Sequence, residues 1–166
     1  LIEYSPPKSL AFLIDNKRKK EFLSSFDLAL VHRFEGGYKK ILNGDYQTGV
    51  KTIKGLGYGL TPSGDDFISG FLIALHVSQQ ILQTDFSPII DNIHLTAKGG
   101  NSFTNIFLDC AAKGNVPEKF KMLIDALCCS DENEITHYTR RLLTVGATSG
   151  ADQAVGFLIG IKRFIL

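Results

Sequence analysis

The chain has 166 residues, 44% hydrophobic and 21% charged, with a formal net charge of +1. That length holds one domain with a substantial core, the balanced charge excludes an electrostatic footprint for nucleic acid, and no apolar run reaches the ~18–20 residues of a membrane span. The first residues lack the basic-then-apolar order of a signal peptide. The cysteines Cys110, Cys128 and Cys129 are odd in number and show no CxxC spacing, so the expected compartment is the cytoplasm. Leu1 stands where an initiator methionine would, and Met122 is the only methionine, which points to the C-terminal part of a longer protein.

Residues 1–4, Pro6-Pro7 and residues 10–14 read as extended structure broken by prolines, at most one short β-hairpin. From about Asn16, Phe22, Leu23, Phe26, Leu30, Val31 and Phe34 recur at three- and four-residue steps, which predicts a helix ended by Gly36-Gly37. Lys17-Arg18-Lys19-Lys20 reads as the solvated face at its start. Two short helices are predicted over 38–42 and 47–53, with Asp45 as the N-cap of the second. Gly55, Gly57 and Gly59 then lead through Thr61-Pro62 to Ser63, which opens a long helix reaching Ile81-Leu82. Residues 88–95 are ambiguous. A helix over 102–112 carries Phe103, Ile106, Phe107 and Cys110 on one face. Pro117 starts the next, residues 131–143 make another, ended at Gly146, and a last one runs from Ser149 to about Phe164. The expected fold is mainly α, a single helical domain over 1–166.

Within that domain a phrase occurs twice. Residues 63–73 and 149–159 share seven of eleven residues at an offset of 86 (Ser63/Ser149, Gly64/Gly150, Asp66/Asp152, Gly70/Gly156, Phe71/Phe157, Leu72/Leu158, Ile73/Ile159). The internal repeat spans 57–75 and 145–161 and has the form of a polar loop feeding a buried helix. Two readings stay open. In the first, Ser63 with Asp66 and Ser149 with Asp152 are capping boxes that only start two helices. In the second, the loops form a ligand site. Three glycines within five residues before Thr61 suit close approach of backbone to a ligand. Asp65 beside Asp66 sets two like charges together, which a nearby cation or strong donor would relieve.

On the second reading the candidate catalytic residues are Asp65, Asp66 and Asp152. The candidate ligand-binding residues are Gly57, Gly59, Thr61, Ser63, Gly64, Thr148, Ser149 and Gly150. Asp65, Asp66 and Asp152 with Thr61 form an oxygen-rich set of the kind Mg²⁺ takes. The loop is not a Walker A motif, since Asp65 rather than Lys follows Gly64, and Gly57-x-Gly59-x-x-Pro62 fails the dinucleotide fingerprint. Gly70 and Gly156, each seven residues into an apolar helix, suggest that the two helices cross in contact there. Whether that crossing brings both starts to one end is open.

The string from Gly55 to Asp66 resembles the signature of a bacterial family that includes the AllH-type subunit of oxamate carbamoyltransferase. Residues 145–152 look like its second motif, and residues 101–114 are similar to its middle stretch. Ala147 stands where that motif carries a His, and Tyr58 where Pro is common. The resemblance implies carbamoyl transfer among oxalurate, oxamate and carbamoyl phosphate, a small anionic substrate, and partnership with other subunits of a complex. Such transfer passes a tetrahedral oxyanion. Gly57, Gly59 and Thr61 would supply its donors, Thr148 and Ser149 would hold phosphate or carboxylate, and Asp66 and Asp152 would position loops or the transferred amine. The alternatives are an all-α, Mg²⁺-dependent hydrolase resembling ADP-ribosylglycohydrolases, and a non-catalytic helical subunit that docks on partners.

Overall fold

A computed structural model describes residues 1–129 and 131–166. Helix α1 (Ser25–Leu42) starts with a complete capping box: Ser24 Oγ accepts from Asp27 N at 3.0 Å, and Asp27 Oδ2 accepts from Ser24 N at 3.1 Å. It does not end at Gly36-Gly37. A Cβ on Gly37 would lie 3.0 Å from Gly49 O, and one on Gly49 would lie 2.9 Å from Gly37 O. These glycines let α1 cross the next helix, α2 (Tyr46–Ile53), backbone to backbone, which offsets the ~1 kcal/mol that a mid-helix glycine costs. Asp45 caps α2 as expected, accepting from Thr48 N at 3.2 Å.

Among the described residues there is no strand. The opening instead forms three short 3-10 helices, Ile2–Tyr4, Leu10–Leu13 and Asn16–Glu21, so the expected hairpin is replaced. Pro6 and Pro7 have no N–H to give to a ladder. The Arg18 guanidinium gathers the carbonyls of Ile2, Ser5 and Pro6 at 2.7, 2.8 and 3.0 Å. The basic run therefore belongs to its own 3-10 turn, and its Arg18 is a structural tie rather than part of a solvated face.

The remaining elements are α3 (Ser63–Leu82), α4 (Ser87–Ala97), α5 (Ser102–Ala112), α6 (Glu118–Cys129), α7 (Glu132–Leu143) and α8 (Ser149–Phe164). The ambiguous residues 88–95 thus lie in α4, with Pro88 in its first turn. Helices α3 and α8 form the centre. Phe67, Phe71, Leu72, Ile73 and Leu75 of α3 and Val155 and Ile159 of α8 are buried, and Phe12, Phe34 and Phe120 pack around them. A helix apolar on nearly every side, as α3 is, has to be surrounded.

The two central helices run parallel and in register. Thr61 meets Ser149, Ser69 meets Gln153, Phe71 meets Phe164, and Ala74 meets Gly160. The crossing is reciprocal. A Cβ on Gly70 would lie 2.8 Å from Gln153 C and closer to its oxygen; one on Gly156 would lie 2.8 Å from Phe67 C and closer to its oxygen. Since Phe67 and Gln153 are themselves repeat-related positions, a pseudo-two-fold axis runs between the helices. The surroundings repeat as well. α1 packs on α2 and α2 leads into α3, as α6 packs on α7 and α7 leads into α8, with α4 and α5 between the two triplets.

Candidate functional site

The parallel crossing brings both repeat loops to one end of the domain, where the two motifs meet directly. Thr61 Oγ1 lies 2.9 Å from Ser149 Oγ and donates to Asp66 Oδ2 at 3.1 Å. Beside this triad opens a cavity of about 480 Å³. Thr61, Asp66, Ser69, Ser149 and Gln153 give it a polar floor; Leu60, Phe103, Phe107, Leu142 and Val145 give apolar walls, and Pro117, Glu118, Lys119 and Gly146 complete its lining. Gln153 Nε2 donates to Ser69 Oγ at 3.0 Å, which orients the amide. A concave, mostly apolar site with a few convergent polar groups is the usual form of a small-ligand pocket.

Burial pushes the Asp66 carboxyl up to about 7, with the Asp152 and Asp65 charges adding to the rise and the Ser149 and Thr61 hydroxyls opposing it. Near neutral pH this group is poised between acid and carboxylate. Asp65 turns the other way. Its Oδ1 accepts from Gly55 N at 2.8 Å, so it pins the start of the glycine loop; burial raises its pKa against the pull of that N–H. Asp152 is fully enclosed, and its Oδ1 accepts from Leu10 N at 2.6 Å. Burial pushes it up to about 6, opposed by the Leu10 N–H and by the hydroxyls of Ser63 and Thr148.

The three carboxylates therefore point to three separate sets of donors. That arrangement does not fit the Mg²⁺ set expected from the sequence, and no group of three or more His, Cys, Asp or Glu among the described residues is disposed to hold a metal. The capping-box reading is also replaced. Pro62 and Thr148 are the N-caps of α3 and α8, and neither start has a side-chain cap bond. Ser63 and Ser149 sit one residue inside their helices, with the carboxylates engaged elsewhere.

Of the sequence-chosen residues, Thr61, Asp66 and Ser149 line the cavity. Gly64 and Gly150 are buried under neighbouring backbone: a Cβ would lie 2.8 Å from Ile53 C and 3.0 Å from Leu142 C respectively. Gly57, at φ +122°, brings the loop against Ser63 N, 2.5 Å from where its Cβ would be. Gly59, at φ +89°, is an exposed turn residue with open space around it. Ser63 is buried near Asp152, and Thr148 holds the N-cap position of α8 with its hydroxyl toward Asp152. Tyr58 anchors the loop from outside. Its hydroxyl donates to Asp27 at 2.5 Å, and Lys8 Nζ donates to the same carboxylate at 2.9 Å. These bonds hold Asp27 well below the usual carboxylate range, the Tyr58 hydroxyl first among them.

Ser69, Gln153, Phe103, Phe107 and Lys119 line the cavity as well, although the sequence does not single them out as site residues. Ser69 and Gln153 carried a signal, being polar side chains one helical turn after Asp66 and Ser149 in otherwise apolar runs. The face of α5 that carries Phe103, Ile106 and Phe107 is exposed at 57, 60 and 50%. Thr104, Leu108 and Ala111 are the buried face, so Phe103 and Phe107 stay free to wall the cavity.

A family model described as oxamate carbamoyltransferase subunit AllH matches residues 53–161. The chain belongs to the AllH family. The matched span runs from the end of α2 to near the end of α8, so the AllH unit contains both repeat copies and the whole polar floor. No solved structure matches this AllH chain at a significant level. None of its described helices is long and apolar enough to cross a membrane.

One consequence concerns Asp152. Replacing it with Ala leaves the buried Leu10 N–H without an acceptor, at a cost of about 1–3 kcal/mol. Hydrogen exchange over residues 9–13 should accelerate markedly in Asp152→Ala while the α5–α6 region stays protected. Unchanged exchange there would mean that the carboxylate does not hold the segment.

Proposed function

We propose that this AllH chain binds the small anionic substrate of carbamoyl transfer in the cavity at the starts of α3 and α8, acting as one subunit of a carbamoyltransferase complex. The observation that carries this is the Thr61–Asp66–Ser149 cluster, built from both repeat copies and open to a cavity of about 480 Å³. That volume lies within the ~300–1,000 Å³ range of small-molecule sites. With the Thr61 proton on Asp66, the Ser149 hydroxyl is the one that can turn its proton to an oxyanion forming during acyl transfer. Lys119 lines the cavity while its Nζ donates to Thr144 Oγ1 at 3.0 Å, outside the lining; released from that hydroxyl, the ammonium can meet a carboxylate or phosphate. Asp66, titrating near neutrality, can take or return a proton at the transferred nitrogen. The family description supplies carbamoyl chemistry as the class. The exposed Leu60, Phe103 and Ile106 around this end give partner subunits an apolar surface on which to dock.

Titration calorimetry with oxamate, carbamoyl phosphate and inorganic phosphate tests the reading. At least one of the three should bind, and Ser149→Ala should weaken it by about tenfold, the loss of one hydrogen bond to a charged group. Absence of heat with all three, or an unchanged affinity in Ser149→Ala, would overturn the cavity as the substrate site.

A further inference from the structure

The pseudo-two-fold axis that relates α3 to α8 also relates Asp66 to Asp152, and the two carboxylates have different fates. Asp66 faces the cavity, with the Thr61 hydroxyl donating to its Oδ2 at 3.1 Å and the Ser149 hydroxyl beside it. Asp152 faces the N-terminal segment, which lies where the cavity would be on the other side of the axis. There the 3-10 turn Leu10–Leu13 packs on α8, and the Leu10 backbone N–H reaches Asp152 Oδ1 at 2.6 Å. Leu10, Ala11 and Phe12 are buried in that position. A peptide group is a secondary amide, so one of the two repeat sites already holds an amide N–H on its carboxylate.

We infer that Asp66 accepts a hydrogen bond from a ligand N–H as Asp152 accepts one from Leu10, and that the cavity therefore selects ligands bearing an amide or ureido N–H over isosteric carboxylates. This rests on the reading of the cavity as the substrate site. The ligand's nitrogen end lies on Asp66, and its anionic end extends away from the buried aspartates toward Lys119. Presenting a carboxylate oxygen to Asp66 instead would set two like charges together in a site where burial already disfavours one. A site built to accept an N–H rejects an analogue that lacks it, since the buried acceptor is left unpaired.

Oxamate and oxalate test this, since they differ by an NH₂ against an oxygen at one end. In calorimetry at pH 8, wild type should bind oxamate at least about tenfold tighter than oxalate, the magnitude of one charge-assisted hydrogen bond. Asp66→Asn carries an amide that can donate to a carboxylate, and it should bring the two ligands within about twofold of each other or reverse their order. Equal affinities in wild type, or a tenfold preference that survives in Asp66→Asn, would overturn the inference and leave the cavity reading standing. If inorganic phosphate binds while oxamate and carbamoyl phosphate, which both carry an NH₂, do not, the amide assignment falls alone. If none of the probes binds, both fall.

Discussion

Replacing Gly70 with Ala is expected to leave the chain without a cooperative thermal transition. The added Cβ would lie 2.8 Å from Gln153 C, 3.0 Å from Phe157 N and closer still to Gln153 O. Those are main-chain atoms of a helix, so no rotamer change relieves the overlap. Ordinary overpacking costs about 1–3 kcal/mol because side chains shift. Here α3 and α8 have to move apart at the point where Phe67, Phe71, Leu72, Val155 and Ile159 are packed, and each large apolar side chain contributes about 1.5–3 kcal/mol by burial. Loss of a few such contacts matches the ~5–15 kcal/mol by which a domain is stable. Gly156→Ala strikes the same crossing from the other side, and the double variant should be no worse than either single one, since the helices part once. A circular-dichroism melt within about 3 °C of wild type, less than ~1 kcal/mol for a chain of this size, would sink the close crossing.

Asp66→Asn is expected to stabilise the chain at pH 8, to leave it unchanged at pH 4, and to lose the preference for amide ligands. The ordinary carboxyl value is 3.8 and the folded value is about 7. As pH rises from 4 to 7, the unfolded chain gives up this proton while the folded chain keeps it, so the folded state loses stability across that window. Above about 7 the penalty is constant. Asn stays neutral throughout and escapes it. The difference in melting temperature between variant and wild type should therefore grow from near zero at pH 4 to a plateau near pH 8, where it reflects a penalty on the order of a few kcal/mol. Asp152, pushed up to about 6, contributes in the same direction in both proteins, and because its charge adds to the rise on Asp66 the difference also carries the coupling of that pair. A difference independent of pH would mean that Asp66 is not held near neutrality. Stability gained by removing a charge and selectivity lost with it is the signature of a functional residue rather than a structural one.

The helical plan was legible because most of it is local. Asp45 and Pro117 are start signals that act within one turn, and the repeat was visible as identical letters; the helix expected from about Asn16 instead starts at Ser25, at a Ser24-x-x-Asp27 box that went unread. What failed locally was settled by distant partners. Gly36-Gly37 looked like a stop because a mid-helix glycine is unfavourable by itself; the compensation comes from Gly49, on another helix. Arg18 looked like a solvated charge because the carbonyls of Ile2, Ser5 and Pro6 converge on it only after the chain has turned. At the candidate site, Thr61, Asp66 and Ser149 could be chosen from the repeat. The divergent paths of Asp65 and Asp152 could not, since Gly55 N and Leu10 N are placed by the loop and by a segment 142 residues away from Asp152. The α5 wall was read as one apolar face, but nothing in its spacing says which face the core takes.

The occupation of one repeat site by Leu10 has a further consequence for stoichiometry. A protein with two equivalent motifs about a two-fold axis would ordinarily take up two ligands and could show cooperativity between them. In this chain one seat is taken by a covalently tethered piece of the same molecule, at an effective concentration that no free solute matches. On the proposed reading of the cavity, saturation should come at one ligand per chain, with a simple hyperbolic isotherm, and the two-fold relation is kept by the paired helices and not by the ligand sites.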